Sequence, residues 1–279
     1  MNLLLPATLI LTTLFSFPAL TNAWTINSDF ELGTIGERAI GKHAMSGAFK
    51  YTVFTNEYQN TGSTKAAKVS IDAATDGWGD WGGSYKFPTK LTEGDQIWFR
   101  AYVYFPVGFD YSASGEGLKI MRIHTVSPGG ANEGYFDILI SNVGGGISIG
   151  SEVSAPAFYN NNPRPTWENQ GSKTAKGVWQ ALEMYVKSSS IPGNGIFRVW
   201  QNGKLIFEDT KTSTLRTATS ASDLIYFFTY WNGNAPKTQS AYIDDVIITT
   251  ETPNKIDSHG NRFIGAKYIS PKAPVLSVK

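Results

Sequence analysis

QIWFRAYVYF, residues 96–105, is the stretch that decides the fold class of the chain. Its side chains alternate between two faces, which is the period of a β-strand rather than of a helix. The apolar face, suited to a core, consists of Phe99, Ala101, Val103 and Phe105. The other face is wide and amphipathic, and it predicts a sugar-binding surface, with an ordinary solvated sheet face as the alternative. Its members are Trp98, Arg100 and Tyr102, extended on a later strand by Tyr185 and Lys187.

The same alternation recurs along the chain, and no long helical periodicity interrupts it. The dipeptide Asn202-Gly203 separates two of these segments and is a strong signal for a two-residue hairpin turn. About ten strands between turn-forming clusters predict an all-β sandwich or jelly roll. The predicted strands are 50–55, 66–72, 96–105, 119–125, 135–141, 147–149, 178–187, 196–201, 204–208, 223–231 and 241–250.

Charge and aromatic content narrow the function classes. The net charge is +1 and no basic tract could neutralise a row of phosphates, so a nucleic-acid partner is not expected. The 8 Trp, 13 Tyr, 16 Phe and 28 Gly are a common profile for secreted β proteins that handle sugars. The chain contains no cysteine, so its core must stand without disulfides.

The N-terminus predicts secretion. Residues 1–23 carry no charged side chain, and their apolar run ends in small residues at the cleavage positions before Trp24, as in a signal peptide. An uncleaved membrane anchor is the alternative. The mature chain would then be extracellular or periplasmic and would not contact the membrane. The expected segments are a catalytic or carbohydrate-binding domain at 24–251, with a long polar loop at 152–176, and an irregular tail at 252–279.

One histidine stands out by its position. The sequence has three, and only His124 falls in a predicted strand, where Arg122 shares its face. A neutral imidazole can accept a proton, and a guanidinium can bind a carboxylate through two parallel hydrogen bonds. The pair fits a catalytic site for an anionic substrate. On the residues alone, a structural histidine beside a surface arginine is the favoured interpretation.

Five short motifs point to a family. They are DFE at 29–31, GWGDWGG at 77–83, GVW at 177–179, VWQNG at 199–203 and YIDDV at 242–246. Together they resemble the β-jelly-roll polysaccharide lyases, the group that includes alginate, glucuronan and heparin lyases. The resemblance spans about residues 27–250. It implies a two-sheet antiparallel jelly roll of the concanavalin A-like kind, and cleavage of a uronate-containing polysaccharide by β-elimination.

The resemblance also implies a site. The run from Arg122 to His124 is similar to the Gln-Ile-His strand of the alginate lyases, with Arg122 in place of Gln. Tyr230 matches a tyrosine on a later strand, and Phe228 stands where that strand often has Lys. The implied roles are proton transfer for His124 and Tyr230 and neutralisation of the uronate carboxylate for Arg122. Tyr226 and Phe228 would share the face of Tyr230, and substrate binding would add Tyr226 and Tyr135.

Two questions remain open in the sequence. A non-catalytic carbohydrate-binding protein is the alternative function, and a glycoside hydrolase is the third choice, because the Glu-x-Asp-x-x-Glu run of such hydrolases is missing. No organic cofactor is expected. Glu31 and Asp244, near the two ends of the domain, predict a structural calcium site, since carboxylate oxygens suit calcium. Simply exposed acids are the alternative, and no Cys or His cluster favours zinc.

Overall fold

A computed structural model describes residues 23–112, 117–140, 145–153 and 167–267, and the regular elements among them are all β-strands. Three predicted segments lie wholly or partly outside these ranges: the signal peptide at residues 1–22, the polar loop at residues 154–166 and the tail at residues 268–279. The strands are β1 (Thr25–Ser28), β2 (Gly47–Ala48), β3 (Thr52–Thr55), β4 (Ala66–Ile71), β5 (Gly83–Leu91), β6 (Gln96–Tyr104), β7 (Gly117–Val126), β8 (Asn132–Ile140), β9 (Gly146–Ser151), β10 (Trp167–Lys173), β11 (Trp179–Lys187), β12 (Ile196–Gln201), β13 (Lys204–Asp209), β14 (Ala221–Asn232), β15 (Gln239–Thr249), β16 (Lys255–Ile256) and β17 (Arg262–Phe263).

The strands form two large sheets. The eight-stranded sheet has the order β13-β12-β11-β6-β15-β4-β3, with β1 also paired to β15, and the seven-stranded sheet has the order β10-β9-β8-β7-β14-β5-β2. Neighbouring strands in both are antiparallel. The predicted two-sheet antiparallel sandwich is therefore confirmed.

The alternation read from β6 explains how the sheets pack. Phe99, Ala101 and Val103 are fully buried in the core, as their face predicts. Phe99 meets Phe227 of the other sheet edge to face, with ring centroids 4.9 Å apart. Removing such a side chain from water contributes about 1.5–3 kcal/mol, and repetition of this burial along both sheets joins them without disulfides.

A bulge in β14 changes which side chains reach the outer face. Between Phe227 and Tyr230 the pairing with β7 slips by one residue, and Phe228 adopts a φ of 47°. Gly82 packs against this bulge, where a Cβ would lie 1.9 Å from the Phe227 carbonyl oxygen. Phe228 consequently points into the core and is fully buried. The expectation that Phe228 shares the outer face with Tyr226 is wrong, because a bulge breaks the two-residue period.

The predicted tail begins as a structured strap. Residues 252–267, here called the C-terminal strap, contain the β16–β17 hairpin and lie on the outer face of the eight-stranded sheet. Phe263 stacks on Trp200 with ring centroids 5.9 Å apart. The buried Glu183 carboxylate accepts hydrogen bonds from the backbone N–H groups of Ile264 and Gly265 at 2.5 and 2.9 Å. Side-chain contacts of the sheet therefore fix the strap.

One further expectation concerns a connection between strands. The predicted loop at 152–176 is wrong in part, because β10 occupies its second half and pairs with β9.

No helix long and apolar enough to cross a membrane occurs within the described ranges.

Candidate active site

The outer face of the seven-stranded sheet carries the predicted histidine. On β7 the side chains of Met121 and Ile123 point into the core and are fully buried. Arg122 and His124 alternate with them and lie on the opposite face. The His124 side chain is 13% exposed, so it can be reached from solvent. The register of β7 is therefore the one that a role in catalysis requires.

An aspartate orients this histidine. His124 Nδ1 lies 2.8 Å from Oδ1 of Asp223, which lies near the start of β14 beside the residue paired with His124. A carboxylate accepts hydrogen bonds, so Nδ1 carries a proton, and in the neutral imidazole Nε2 is then the acceptor nitrogen. Asp223 was not among the predicted site residues. Its position at the start of a predicted strand was visible, but the pairing of that strand with β7 was not.

Two tyrosines frame His124. Tyr135 pairs with it on β8, with ring centroids 5.1 Å apart, and the Tyr226 ring of β14 lies 6.1 Å away. The two phenol rings are 6.4 Å from each other. Burial raises the pKa of Tyr135 to about 12 and also raises the pKa of Tyr226. Both phenols are therefore protonated at neutral pH and can donate a hydrogen bond or a proton.

Arg122 is held by a buried ion pair. Its Nε donates to Asp137 Oδ1 at 2.7 Å, and its guanidinium carbon lies 3.6 Å from the centroid of the Tyr135 ring. The side chains of Arg122 and Asp137 are 5% and 1% exposed. The Arg122 Nη2 atom lies 4.0 Å from Oε2 of Glu152. Burial acts to lower the pKa of Arg122, but the charge and hydrogen bond of the Asp137 carboxylate, together with the charge of Glu152, act in the opposite direction, so the pKa of Arg122 is raised above its usual value. The guanidinium therefore stays charged in a fixed orientation.

Tyr230 lies apart from this cluster. It pairs with Lys119 on β7, whose Nζ is 5.2 Å from the centroid of the Tyr230 ring. Lys119 precedes His124 by five positions, which is about 16 Å along a strand at ~3.3 Å per residue. The structure therefore does not bring Tyr230 next to His124, the other residue to which the resemblance assigns proton transfer. Tyr226 occupies the place next to His124 instead, because the alternation gives the face of a side chain but not the register between strands.

A comparison with protein families decides the class of the protein. The model of the family described as polysaccharide lyase matches residues 42–246, which is more than half of the chain and includes the whole cluster around His124. The chain belongs to the polysaccharide lyase family. The family match therefore favours an enzyme over a non-catalytic carbohydrate-binding protein. No curated protein sequence matches the chain.

Solved structures show the fold that this lyase shares. An endo-β-1,4-glucuronan lyase from the fungus Trichoderma reesei superposes with a TM-score of 0.55 at 14% identity, over 83% of this chain and 96% of that one. An alginate lyase from Aplysia kurodai gives 0.57 at 12% identity, over 82% and 98%. A mutant of the alginate lyase Aly36B in complex with alginate trisaccharide gives 0.56 at 15% identity, over 80% and 97%. The predicted jelly-roll fold is confirmed.

The other predicted sugar-binding surface of the lyase is wrong. Trp98, Arg100 and Tyr102 lie on the opposite, eight-stranded sheet and are only 2–3% exposed. The C-terminal strap covers them: Trp98 Nε1 and an Arg100 terminal nitrogen donate to the carbonyls of Arg262 and Gly265, each at 2.9 Å. The alternation of β6 predicted an amphipathic face, but it could not show that a distant segment would lie on it.

Tyr185 and Lys187 follow the same sheet. Tyr185 is buried, its ring packs 4.8 Å from that of Trp98, and its hydroxyl donates to Gln96 at 2.6 Å. Lys187 is half-buried and pairs with Gln96. Neither belongs to the sheet that carries His124, so neither extends the active site of the lyase.

The predicted calcium ligands lie near each other but are not equally free. Glu31 accepts hydrogen bonds from the backbone N–H groups of Thr64 and Lys65 at 2.7 and 3.1 Å. Asp244 is fully buried, its Oδ1 accepts the N–H of Asp245, and its Oδ2 has no hydrogen-bond partner among the described residues. Burial, followed by repulsion from Asp245, raises the pKa of Asp244 to about 8. The described part of the chain has no group of three or more His, Cys, Asp or Glu that could hold a metal ion.

Proposed function

We propose that this lyase cleaves a uronate-containing polysaccharide by β-elimination at His124. The observation that carries the proposal is the His124–Asp223 hydrogen bond of 2.8 Å on an outer sheet face, beside two protonated tyrosines and Arg122. The names of the glucuronan and alginate lyases with the same fold support the substrate class, because both polymers consist of uronates.

His124 is the base of the proposed reaction. With the Nδ1 proton directed at Asp223, the Nε2 lone pair accepts the proton from C5 of the uronate. The carboxylate of Asp223 then stabilises the imidazolium that forms, as an oriented acid does beside a catalytic histidine. Asp223 is a positioning residue, since it acts through His124.

Tyr226 is the acid. It donates its proton to the glycosidic oxygen while the C4–O bond breaks and the double bond between C4 and C5 forms. Its raised pKa keeps it protonated until that step. The proton taken from C5 then returns from the imidazolium to the Tyr226 phenolate through solvent, so both groups are restored. Tyr135 lies at a similar distance from His124 and binds a sugar hydroxyl beside it.

Arg122 neutralises the uronate carboxylate. Its side chain is 5% exposed and its Nε is committed to Asp137, so it acts on the substrate carboxylate through its positive charge. Neutralisation matters because the electron pair left at C5 is delocalised into that carboxylate. A positive charge in place before reaction stabilises the transition state without rearrangement.

The test is elimination itself. The protein starting at Trp24 is mixed with alginate, glucuronan, glycosaminoglycans and pectin, and the ultraviolet absorbance of the unsaturated uronate product is followed. We expect a rise with one of these polymers that is lost in His124→Ala. His259→Ala is the matched control, since His259 is exposed on the C-terminal strap. A flat trace with every polymer contradicts the proposal.

Secretion is part of the proposed function, since a polysaccharide of this kind lies outside the cell. The support is the uncharged apolar segment at residues 1–23. Mass spectrometry of the protein exported by a secreting host should show an N-terminus at Trp24. An intact Met1 on exported protein would contradict cleavage.

We also propose a structural calcium ion at Asp244. The supporting observation is the Asp244 Oδ2 atom, which is buried and has no hydrogen-bond partner in the part of the chain that the structure describes, with Glu31 close enough to repel it. A calcium ion bound to the carboxylate oxygens would supply Oδ2 of Asp244 with a partner and would offset the repulsion between Asp244 and Glu31. Thermal unfolding of the wild type should move to higher temperature with added calcium, and Asp244→Asn should not respond. An equal response of both proteins would contradict the site.

A further inference from the structure

A row of aromatic rings crosses the outer face of the seven-stranded sheet through His124. It runs from Tyr135 on β8 to His124 on β7, then to Tyr226 on β14 and to Trp78 in the turn before β5. Successive ring centroids are 5.1, 6.1 and 5.9 Å apart. These strands are neighbours in the sheet, so the row runs across the strands. The reacting cluster occupies three of its four places, and Trp78 is the end that the mechanism does not use.

Trp78 is exposed, unlike a tryptophan that serves a core. Its side chain is 52% exposed, whereas Trp81, three residues later in the same glycine-rich turn, is fully buried and stacks on Trp231. The turn therefore directs the indole of Trp81 into the core and leaves the indole of Trp78 on the surface. Its place in line with the rings of the active site, rather than its exposure alone, favours a binding role.

The turn holds Trp78 in a fixed position. The Trp78 N–H donates to Asp76 Oδ1 at 3.0 Å, and the Asp76 carbonyl accepts the N–H of Trp231 at 2.8 Å. Gly77 has a φ of +75°, and a Cβ there would lie 2.3 Å from the indole nitrogen of Trp81. The backbone that carries the Trp78 indole is therefore fixed before a ligand binds, which lowers the entropy cost of binding.

The neighbours of Trp78 leave its surface open. Tyr226 contacts it at an interplanar angle of 61° and Phe49 at 53°, with centroids 5.9 and 6.2 Å away. Neither ring is stacked flat on the indole. A pyranose ring has one face of C–H groups that fits such an indole, and it needs no charged partner there.

We propose that Trp78 forms a sugar subsite, in which the indole stacks on a pyranose ring of the polysaccharide one position beyond the unit that lies over Tyr226 and His124. The inference rests on the proposed function for the place of cleavage. It adds that the substrate chain lies across the strands, from Tyr135 toward Trp78.

The test compares Trp78→Ala and Trp78→Phe with the wild type on the polymer that the enzyme cleaves. We expect Trp78→Ala to raise KM about tenfold, the factor that corresponds to one aromatic contact of about 1.4 kcal/mol, with kcat unchanged. Trp78→Phe should keep most of the affinity because it keeps a ring. The matched control is Tyr58→Ala, which removes an exposed aromatic, stacked on Tyr104 of the opposite sheet.

Chain length separates a subsite from a structural role. The effect of Trp78→Ala should be full on polymer and long oligosaccharides and should vanish on the shortest oligosaccharide that is cleaved. A loss of kcat on all lengths, or the same loss in Tyr58→Ala, would overturn the subsite.

Binding without turnover keeps the two proposals distinguishable. Gel retardation by each polymer, with cellulose and xylan added, is measured for His124→Ala and for His124→Ala combined with Trp78→Ala. Weaker retardation of the double variant supports the subsite even if no uronate polymer is cleaved. Equal retardation of both proteins, or none of either, overturns the subsite while elimination by the wild type still stands.

Discussion

His124 and Asp223 join adjacent strands through a hydrogen bond of 2.8 Å between Nδ1 and Oδ1. This bond fixes both the ring plane and the tautomer of the imidazole, and it leaves Nε2 as the basic nitrogen. The lyase therefore has an oriented base on the open face of its seven-stranded sheet.

The first prediction concerns this pair. His124→Ala should lower kcat by about 10²–10⁴-fold, the usual contribution of a general base. Asp223→Asn should lower kcat by about 10–100-fold with KM unchanged, because the base remains but is poorly oriented. Steady-state kinetics on the cleaved polymer measure both. Full kcat in Asp223→Asn would show that the hydrogen bond is structural only.

The second prediction concerns the choice between two tyrosines on β14. Tyr226→Phe should reduce kcat at least 100-fold, since it removes the hydroxyl of the proposed acid. The ring centroids of Tyr226 and His124 lie 6.1 Å apart. Tyr230→Phe should keep nearly all of kcat, because Tyr230 pairs with Lys119 far along the strand. The two variants differ from the wild type by one oxygen atom each and are matched controls for one another. The reverse order of effects would return the acid role to Tyr230.

The fold was largely readable from alternation, and its omissions have physical causes. Most strands of both sheets, including β6, β7 and β14, appear where the two-residue period predicts them. The clearest omission is β5, which contains Pro88. The pairing of β5 with β14 is irregular over residues 87–90, so Pro88 falls where no regular ladder hydrogen bond is needed.

The site was readable only as far as one strand carries it. His124 and Arg122 could be placed on one face because their spacing is local. Asp223 and Tyr226 could not be placed beside His124, because that depends on the register of β14 and on its bulge at Phe228. The burial of Trp98 was equally hidden, since the strap residue that covers it is 164 positions away.

The third prediction concerns the ion pair of Arg122 with Asp137. Asp137→Ala should lower the free energy of unfolding by about 3 kcal/mol, because it leaves a buried guanidinium with only the more distant Glu152, 4.0 Å from Nη2, as an acidic partner. Lys68→Ala is the control: its pair with Glu57 is as short, at 2.6 Å, but is partly exposed, so the loss should be about 0–1 kcal/mol. Urea unfolding measures both. Similar losses would mean that water reaches the Arg122 site.

The last prediction concerns Glu183 under the C-terminal strap. Burial raises its pKa to about 7 from the usual 4.5, and the Ile264 and Gly265 N–H groups reduce that rise without cancelling it. The folded state therefore favours the protonated acid. Its contribution to stability is fully present below pH 4.5 and is lost as the pH rises through 7, by about 3 kcal/mol over that window.

Glu183→Gln should remove this dependence, because the amide does not titrate. Urea unfolding from pH 4.5 to 7 should show the wild type losing stability relative to Glu183→Gln as the pH rises. Glu93→Gln is the control of opposite sign: burial there is outweighed by hydrogen bonds from Ser189 and Ser190, which lower the Glu93 pKa. The wild type should therefore gain stability relative to Glu93→Gln as the pH rises to 4.5, and it should keep a constant difference from Glu93→Gln between pH 4.5 and 7. A wild type that keeps a constant difference from Glu183→Gln across the window would show that Glu183 is ionised throughout and holds the strap as a carboxylate.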